Sequence, residues 1–421
     1  MIQNLTVRSF KSLSNISMEF PRLTILFGPN AAGKSNLLDA IQALSRIGTE
    51  RTLMDALGGQ MIRGYPIEAF ALPAGGIPEL LSKSTARFSI SADLAIPDGR
   101  KIRKNRYRYR IEVEIASKSG ALANCDEYLS ALSTTGNEKG VPAIEVESEP
   151  QRLKIRRQSG GGRPRFEDLN QNYAILSDPR LGSPAHKYIE RVREELFGWR
   201  TYYLDPRLAM RRASPPLDVF DIGVFGEDIA AFLYKLKAER RKNFESVVRT
   251  VQSIIPSVEA FDIDLDERRG ILDINVQQNG TNYSSRVVSE GTLRVLALCA
   301  ISANPWSGSL LAFEEPENGV HPRRIELIAK MLTAMAVEQE RQVVVTTHSP
   351  LFCDAVLKEA RGRPHGDIAL YNVRRVGRET QIQRFDPPVE LFDQPDIMSN
   401  LTSKTEDGIF EFMVMRGWLN E

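Results

Sequence analysis

Residues 23–44 constrain the fold of this chain more than any other stretch. Leu23-Thr-Ile-Leu-Phe27 has the length and composition of a short buried strand. It runs directly into Gly28-Pro29-Asn30-Ala31-Ala32-Gly33-Lys34-Ser35, and beyond Asn36 the residues Leu37, Leu38, Ile41 and Leu44 recur at helical spacing. A glycine, four residues, then Gly-Lys-Ser, set between a strand and a helix, is the phosphate-binding loop pattern. Small residues let backbone N–H groups wrap a β-phosphate, and the helix N-terminus adds partial positive charge. Lys34 is placed to reach the β and γ oxygens, and the Ser35 hydroxyl to ligate Mg²⁺. Gly28, Asn30, Gly33, Lys34, Ser35 and Asn36 are therefore the candidate contacts to a nucleoside triphosphate, and the expected fold is α/β.

Composition narrows the class. The chain has 421 residues, 42% of them hydrophobic and 26% charged, and 55 basic against 54 acidic residues leave a net charge of +1. That is enough chain for one large domain or two to three ordinary ones. The apolar run 295–303 is far short of the ~20 residues of a bilayer span, and Arg8 and Lys11 near the N-terminus argue against a signal peptide. Cys125, Cys299 and Cys353 lie too far apart for a zinc or disulfide pattern. The expected compartment is the cytoplasm. A dedicated non-specific nucleic-acid binder is usually more basic, so an acidic partner must be met by a local patch.

Three further elements carry chemistry. Ser309-Leu-Leu-Ala-Phe313 reads as a second strand, ending in Glu314-Glu315-Pro316-Glu317-Asn318. Glu314 is the candidate Mg²⁺ ligand and Glu315 the candidate base for an attacking water; a solvated acidic loop has the same composition. Gln342-Val-Val-Val-Thr346 reads as a third strand, closing on Thr347-His348-Ser349-Pro350, with a helix over 323–340 between. A lone histidine after a strand is more often structural than catalytic, so the case for His348 rests on order and spacing. Val288-Ser289-Glu290-Gly291 opens a strongly apolar helix, which reads either as an ordinary N-cap or as a second anion site.

Taken in order, these pieces resemble the ABC-type ATPase head of the RecF/SMC/OLD-like families. The resemblance implies a P-loop NTPase fold; the residues between Ser35 and Ser289 themselves read as an antiparallel β subdomain and a helical insertion, with no stretch long enough for the long coiled coil of SMC-type proteins. Residues 28–35 match Walker A, Ser289 and Gly291 the signature, Glu314 and Glu315 Walker B with its catalytic glutamate, and His348 the switch histidine. Residues 315–322 fall where the D-loop lies, and Lys11 matches a basic residue that touches nucleotide phosphates. Two positions depart from the pattern: Glu314 stands where relatives have Asp, and Glu290 where many have Gly. Gln60 is the one candidate for a Q-loop. By this resemblance the chain is a Mg²⁺-dependent ATP hydrolase. It works as a homodimer through an ATP sandwich or in a larger assembly, with a separately encoded effector, of the kind found in bacterial antiphage operons. DNA is the alternative partner, as for a RecF-like repair ATPase, and a transporter subunit fits poorly with the long interval before the signature.

The expected divisions are 1–170, 171–260 and 261–421. Within the middle, 87–96 and 107–116 alternate as strands, 183–197 and 227–255 read as helices, 199–204 as a strand, and 261–266 with 271–276 as a hairpin. The stretch 100–110 holds seven basic residues, which on a strand form either a solvated charged face or a strip for nucleic acid. Arg152, Lys154, Arg156 and Arg157 extend it if adjacent in space. Asp262, Asp264 and Asp266 alternate on a strand, facing either water or a metal.

Overall fold

Alternation of polar and apolar residues over 85–116 builds the first half of the molecule. A computed structural model describes residues 1–59, 62–98, 101–182, 184–360 and 366–385, apart from the side chains of 101–103. Gln60, Arg100, Ser183 and the chain after Phe385 lie outside the described residues. The chain divides into two units. One is made of Met1–Pro21, Pro29–Trp199 and Asn372–Gln383; the other of Arg22–Gly28, Arg200–Tyr371 and the residues from Arg384.

In unit one, β1 (Ile2–Phe10), β2 (Leu13–Glu19), β4 (Thr85–Asp98), β5 (Lys101–Ala116), β6 (Leu122–Leu132), β7 (Ile144–Ser148), β8 (Gln151–Ile155) and β9 (Arg165–Asp168) form an antiparallel sheet ordered β2-β1-β4-β5-β6-β7-β8-β9. Tyr107, Tyr109, Ile111, Val113 and Ile115 are buried along β5, while the alternate residues 106–114 occupy its other face, as the period of two demands. The helices are α1 (Lys34–Ile47), α2 (Leu53–Leu57), α3 (Gly76–Ser82) and α4 (Lys187–Phe197). Leu37, Leu38, Ile41 and Leu44 bury one side of α1, which packs on β1 and α4. The described part of the expected helix 183–197 forms only from Lys187.

Glu127 on β6 is fully buried in unit one and escaped notice in the sequence. Its carboxylate accepts from the Ile175 and Leu176 amides at 2.6 and 2.8 Å, Asn124 Nδ2 at 2.7 Å and the Tyr109 hydroxyl at 3.1 Å. Burial pushes its pKa from 4.5 up to about 7, against the pull of these four donors. Glu127→Gln keeps the volume but turns an NH₂ group toward at least one buried amide donor. The expected cost is about 2–3 kcal/mol of stability, measured by chemical denaturation. Because the folded-state pKa lies above the unfolded one, the carboxyl's contribution is full below pH 4.5 and is lost as the pH rises through about 7. The wild-type profile should show this fall, and the Gln variant's should lack it.

Unit two is built on β3 (Leu23–Phe27), β10 (Arg200–Tyr202), β14 (Leu310–Glu314), β15 (Gln342–Thr347) and the first part, up to Tyr371, of β16 (Ile368–Val376), ordered β10-β14-β15-β3-β16. The first four are parallel and β3, β14 and β15 are almost wholly buried, as expected of a sheet covered on both faces. A separate meander comprises β11 (Val258–Asp266), β12 (Ile271–Gln278) and β13 (Thr281–Ser284), which realises the expected hairpin. Helices α5 (Ile229–Glu239), α6 (Arg241–Ile254), α7 (Glu290–Ser302), α8 (Ile325–Val337) and α9 (Pro350–Ala360) complete the unit. The last strand, β17 (Glu379–Phe385), lies mostly in Asn372–Gln383 of unit one.

Three boundaries differ from the sequence reading. The single helix 227–255 is two helices, broken at Arg240 with φ −138° and ψ 56°. The cause is the apolar spacing: Leu236 and Phe244 are buried, and a continuous helix would carry charged Arg240 on the inward face between them. The helix 323–340 begins at Ile325, after a 3₁₀ turn over Pro322–Arg324. The strand 199–204 shrinks to Arg200–Tyr202. Among the described residues no helix is long and apolar enough to cross a membrane.

Candidate nucleotide site

Parallel strands present their carboxyl ends to a ligand. In unit two Glu314 of β14 stands opposite Thr346 of β15, and Thr347 opposite Phe27 of β3. Gly28, Glu315 and His348, each the first residue past its strand, therefore leave neighbouring strands at one edge of the sheet. Gly28 has φ +149°, a conformation that a side chain would resist.

The amino end of α1 belongs to unit one. Gly33 caps the helix with φ +101°, and a Cβ there would lie 2.0 Å from Thr380 Oγ1 and 2.9 Å from Ser12 Oγ. Thr380 in turn donates to the Ala32 carbonyl at 2.9 Å and pairs with Ser12 at 2.6 Å, and Asn36 Nδ2 donates to Ser12 at 2.7 Å. The loop is thus braced from behind by two hydroxyls. Lys34 is 5% exposed, and its ammonium donates to the Pro29 carbonyl at 2.9 Å. Ser35 is half-buried in the first turn of α1, and Asn30 is exposed.

Lys11, the basic residue expected near phosphate, donates to Asp39 Oδ2 at 2.6 Å and to the Arg63 carbonyl at 2.7 Å. Burial draws its pKa down and Asp39 opposes that. The Arg63 guanidinium meets the same Asp39 oxygen at 2.9 Å. A cavity of about 520 Å³ in this unit is lined by Lys11, Ser12, Asn36, Arg63, Arg375 and Arg378 among others. Four basic side chains on one cavity suit a polyanion.

The acidic end lies wholly in unit two. Glu315 follows β14 with φ +43°, its amide bonded to the Thr346 carbonyl at 3.0 Å. A non-glycine residue held in the left-handed region is uncommon and clusters at functional sites. His348 Nδ1 lies 3.1 Å from Glu315 Oε1, with both side chains partly exposed. Behind them Glu317 is 4% exposed: one oxygen accepts from the Thr347 hydroxyl, and Oε2 has no partner. Burial raises the Glu317 pKa, against that hydrogen bond.

The start of α7 is tied to the same turn. Ser289 is its N-cap, accepting from the Thr292 amide at 3.2 Å. A Cβ on Gly291 would lie 2.4 Å from the Gly319 carbonyl oxygen, so only glycine lets the helix pack this closely on residues 315–320. Arg294 reaches from α7 to the Glu315 and Leu204 carbonyls, both at 3.3 Å.

Each unit by itself offers hard oxygens suited to Mg²⁺: unit one the Ser35 hydroxyl in the first turn of α1, unit two Glu314, paired in register with Thr346, whose buried hydroxyl has no partner. No group of three or more metal-ligating side chains occurs among the described residues. This fits an ion that keeps its waters and uses one or two protein ligands plus phosphate oxygens.

At Arg108 and Arg110, within the described part of the basic strip, the side chains support the solvated-face reading. Arg108 pairs with Asp93, Arg110 with Asp126, and Arg87 with Glu112 and Glu114 across neighbouring strands. Arg152 and Lys154 share Glu147, and Arg156 pairs with Glu145. β6 and β7 separate β5 from β8, so the two basic segments are not neighbours. Asp262 pairs with Lys237 and Asp264 accepts from Asn275, which supports the water-facing reading of the three aspartates.

A family described as "AAA domain, putative AbiEii toxin, Type IV TA system" matches residues 23–354. A stretch of 83 residues is 43% identical to the DNA replication and repair protein RecF of Picosynechococcus sp., covering 17% of this chain and 21% of that protein. The chain thus matches about a fifth of the length of that curated relative. The crystal structure of an SMC head bound to the C-terminal winged-helix domain of ScpA is similar in fold, with a TM-score of 0.52 and 14% identity over 91% of this chain and 97% of that one. The phosphate loop between β3 and α1, the paired glutamates closing β14 and the family match over most of the chain place it in that AAA family, as an ABC-type ATPase head of the RecF/SMC type with a P-loop NTPase fold.

Proposed function

We propose that this chain is a Mg²⁺-dependent ATP hydrolase whose heads pair through two sandwiched nucleotides, and that the paired state governs a separately encoded effector. The observation that carries the reading is the 3.1 Å contact of His348 with Glu315, on a turn held by Arg294 from the helix that Ser289 caps. A base, a phosphate-sensing imidazole and an anion-binding helix start share one turn. In this scheme residues 28–35 hold the triphosphate of one subunit, and Ser289 and Gly291 of the other subunit cover it. By the family resemblance Lys34 would meet phosphate charge, and Ser35 and Glu314 would hold Mg²⁺, which when bound would neutralise phosphate charge. Glu315 takes the proton of the attacking water. His348 shares Glu315's orientation and reports loss of the phosphate, which opens the pair.

The effector reading is supported by the toxin–antitoxin wording of the matched family, and antiphage defence is the setting we infer for it. The resemblance to RecF supports a second reading, a DNA-binding repair ATPase. Turnover measured with and without duplex DNA at two salt concentrations separates them. The paired arginines of β5 lead us to expect turnover indifferent to DNA. Stimulation that fades with salt would replace the effector reading with the repair one.

A further inference from the structure

Glu290 is the residue at which the signature departs from its relatives, and a carboxylate there repels an incoming terminal phosphate. The structure gives it a partner. Arg207 Nε donates to Glu290 Oε1 at 2.7 Å. Arg207 stands in a turn pinned by Asp205, whose Oδ1 accepts from the Arg207 and Leu208 amides at 3.0 and 3.1 Å. The same segment is tied a second time, since Arg211 Nη2 donates to the Val288 carbonyl at 2.7 Å, next to Ser289. Residues 205–211 are thus fastened at two points to the start of α7.

The way Arg207 is held matters more than its charge. Its side chain is 77% exposed, and among the described residues Nε is the one nitrogen of its guanidinium engaged by protein. Both Nη groups remain available. A guanidinium gripped at Nε by a carboxylate presents its outer edge as a rigid fork, the geometry that grips phosphate oxygens in pairs. Simple neutralisation of Glu290 would be met by any nearby cation. Leu208, next to Arg207 in sequence, and Val287, next to Val288, are 77% and 70% exposed.

We propose that Arg207 is a phosphate ligand supplied in trans: its Nη fork takes the terminal phosphate of a nucleoside triphosphate held by a second copy of this chain, while Glu290 fixes its direction. Glu290 is then an orienting residue and not a defect of the signature. This rests on the head-pairing reading, and the experiment separates the two.

The test uses the full chain in a Glu315→Gln background, with ATP as probe. Sedimentation gives the dimer dissociation constant, and nucleotide binding is measured at protein concentrations where the chain is monomeric. Arg207→Ala should weaken the ATP-dependent dimer about tenfold or more, Arg207→Lys should recover only part of that, and ATP binding by the monomer should be unchanged. The double variant Arg207→Ala/Glu290→Gly decides the role. If Arg207 is a ligand, the double variant stays weaker than Glu290→Gly alone, because the carboxylate's repulsion is gone from both and only the fork differs. If it dimerises as tightly as Glu290→Gly alone, Arg207 only cancels a charge and the proposal is overturned. Dimerisation of Arg207→Ala equal to its parent overturns it too, with head pairing left standing. A parent that stays monomeric in saturating ATP overturns head pairing, and this proposal with it.

Discussion

Glu315→Gln should lower ATP turnover by about 10³-fold and leave a dimer that persists in ATP and falls apart when ATP is washed out. The side chain keeps its length and one acceptor oxygen, so His348 can still lie against it at the end of β15. What it loses is the ability to take a proton from water. The turn holding residue 315 is set by backbone contacts, namely the Glu315 amide on the Thr346 carbonyl and Arg294 on the Glu315 carbonyl, and none of these depends on the charge. Binding and chemistry should therefore come apart in this variant: nucleotide affinity close to wild type, turnover nearly absent. A variant that neither turns over nor binds ATP would mean that Glu315 serves the fold of the turn instead of the chemistry. A variant that binds ATP but never pairs would confine the defect to catalysis and refute the sandwich.

The left-handed backbone at Glu315 leads into a buried residue two positions on. Past φ +43° at Glu315, Glu317 is buried and accepts from the Thr347 hydroxyl through one of its oxygens. Thr347 also accepts the Ser349 amide at 2.9 Å, so the position of His348 between them depends on Glu317. Strain in the backbone and a buried carboxylate with one unpartnered oxygen lie within three residues of each other, on the turn that in the proposed scheme answers phosphate loss. Elements that switch are expected to store such imbalance.

The local parts of this site were legible because each is a short stretch whose residue types have one chemical use. Gly28, Gly33, Lys34 and Ser35 lie on eight consecutive residues, and the strand–loop–helix pattern around them is local too. The parallel sheet was legible for the same reason, since runs such as 342–346 are apolar without alternation. What the sequence did not disclose are the braces, which come from far away in the chain. Thr380 supports the phosphate loop across 348 residues from Ala32, and nothing in its neighbourhood marks it. Arg294 did carry a signal, as the single charge within an otherwise apolar helix run from Leu293 to Ile301, and it was passed over. The basic strip illustrates the opposite failure. Seven cations in eleven residues are conspicuous in a sequence, while Asp93 and Asp126, which neutralise two of them, sit on other strands and become visible only with the sheet register.

Gly33→Ala should abolish ATP binding, raising the dissociation constant by at least about 100-fold, a loss that corresponds to about 3 kcal/mol. Two independent penalties meet at this position. The backbone angle of +101° lies outside the range any L-residue adopts comfortably, and the added methyl would stand 2.0 Å from Thr380 Oγ1. The two are separable. Thr380→Gly removes the nearer obstacle but leaves Ser12 Oγ at 2.9 Å and the angle unchanged, so the double variant should recover only part of the affinity. Full recovery would show that contact with Thr380 alone demanded glycine; no recovery would show that the angle and the Ser12 contact did. The loop cannot escape by rotating the peptide, because the Ala32 carbonyl is held by Thr380 and the Asn36 amide by the Gly33 carbonyl at 3.1 Å. Removing Thr380 therefore also frees the carbonyl that fixes the loop from behind. Thr380→Gly alone should accordingly weaken ATP binding by a smaller factor, of about tenfold, the worth of one lost hydrogen bond, with calorimetric titration of ATP into each variant as the readout.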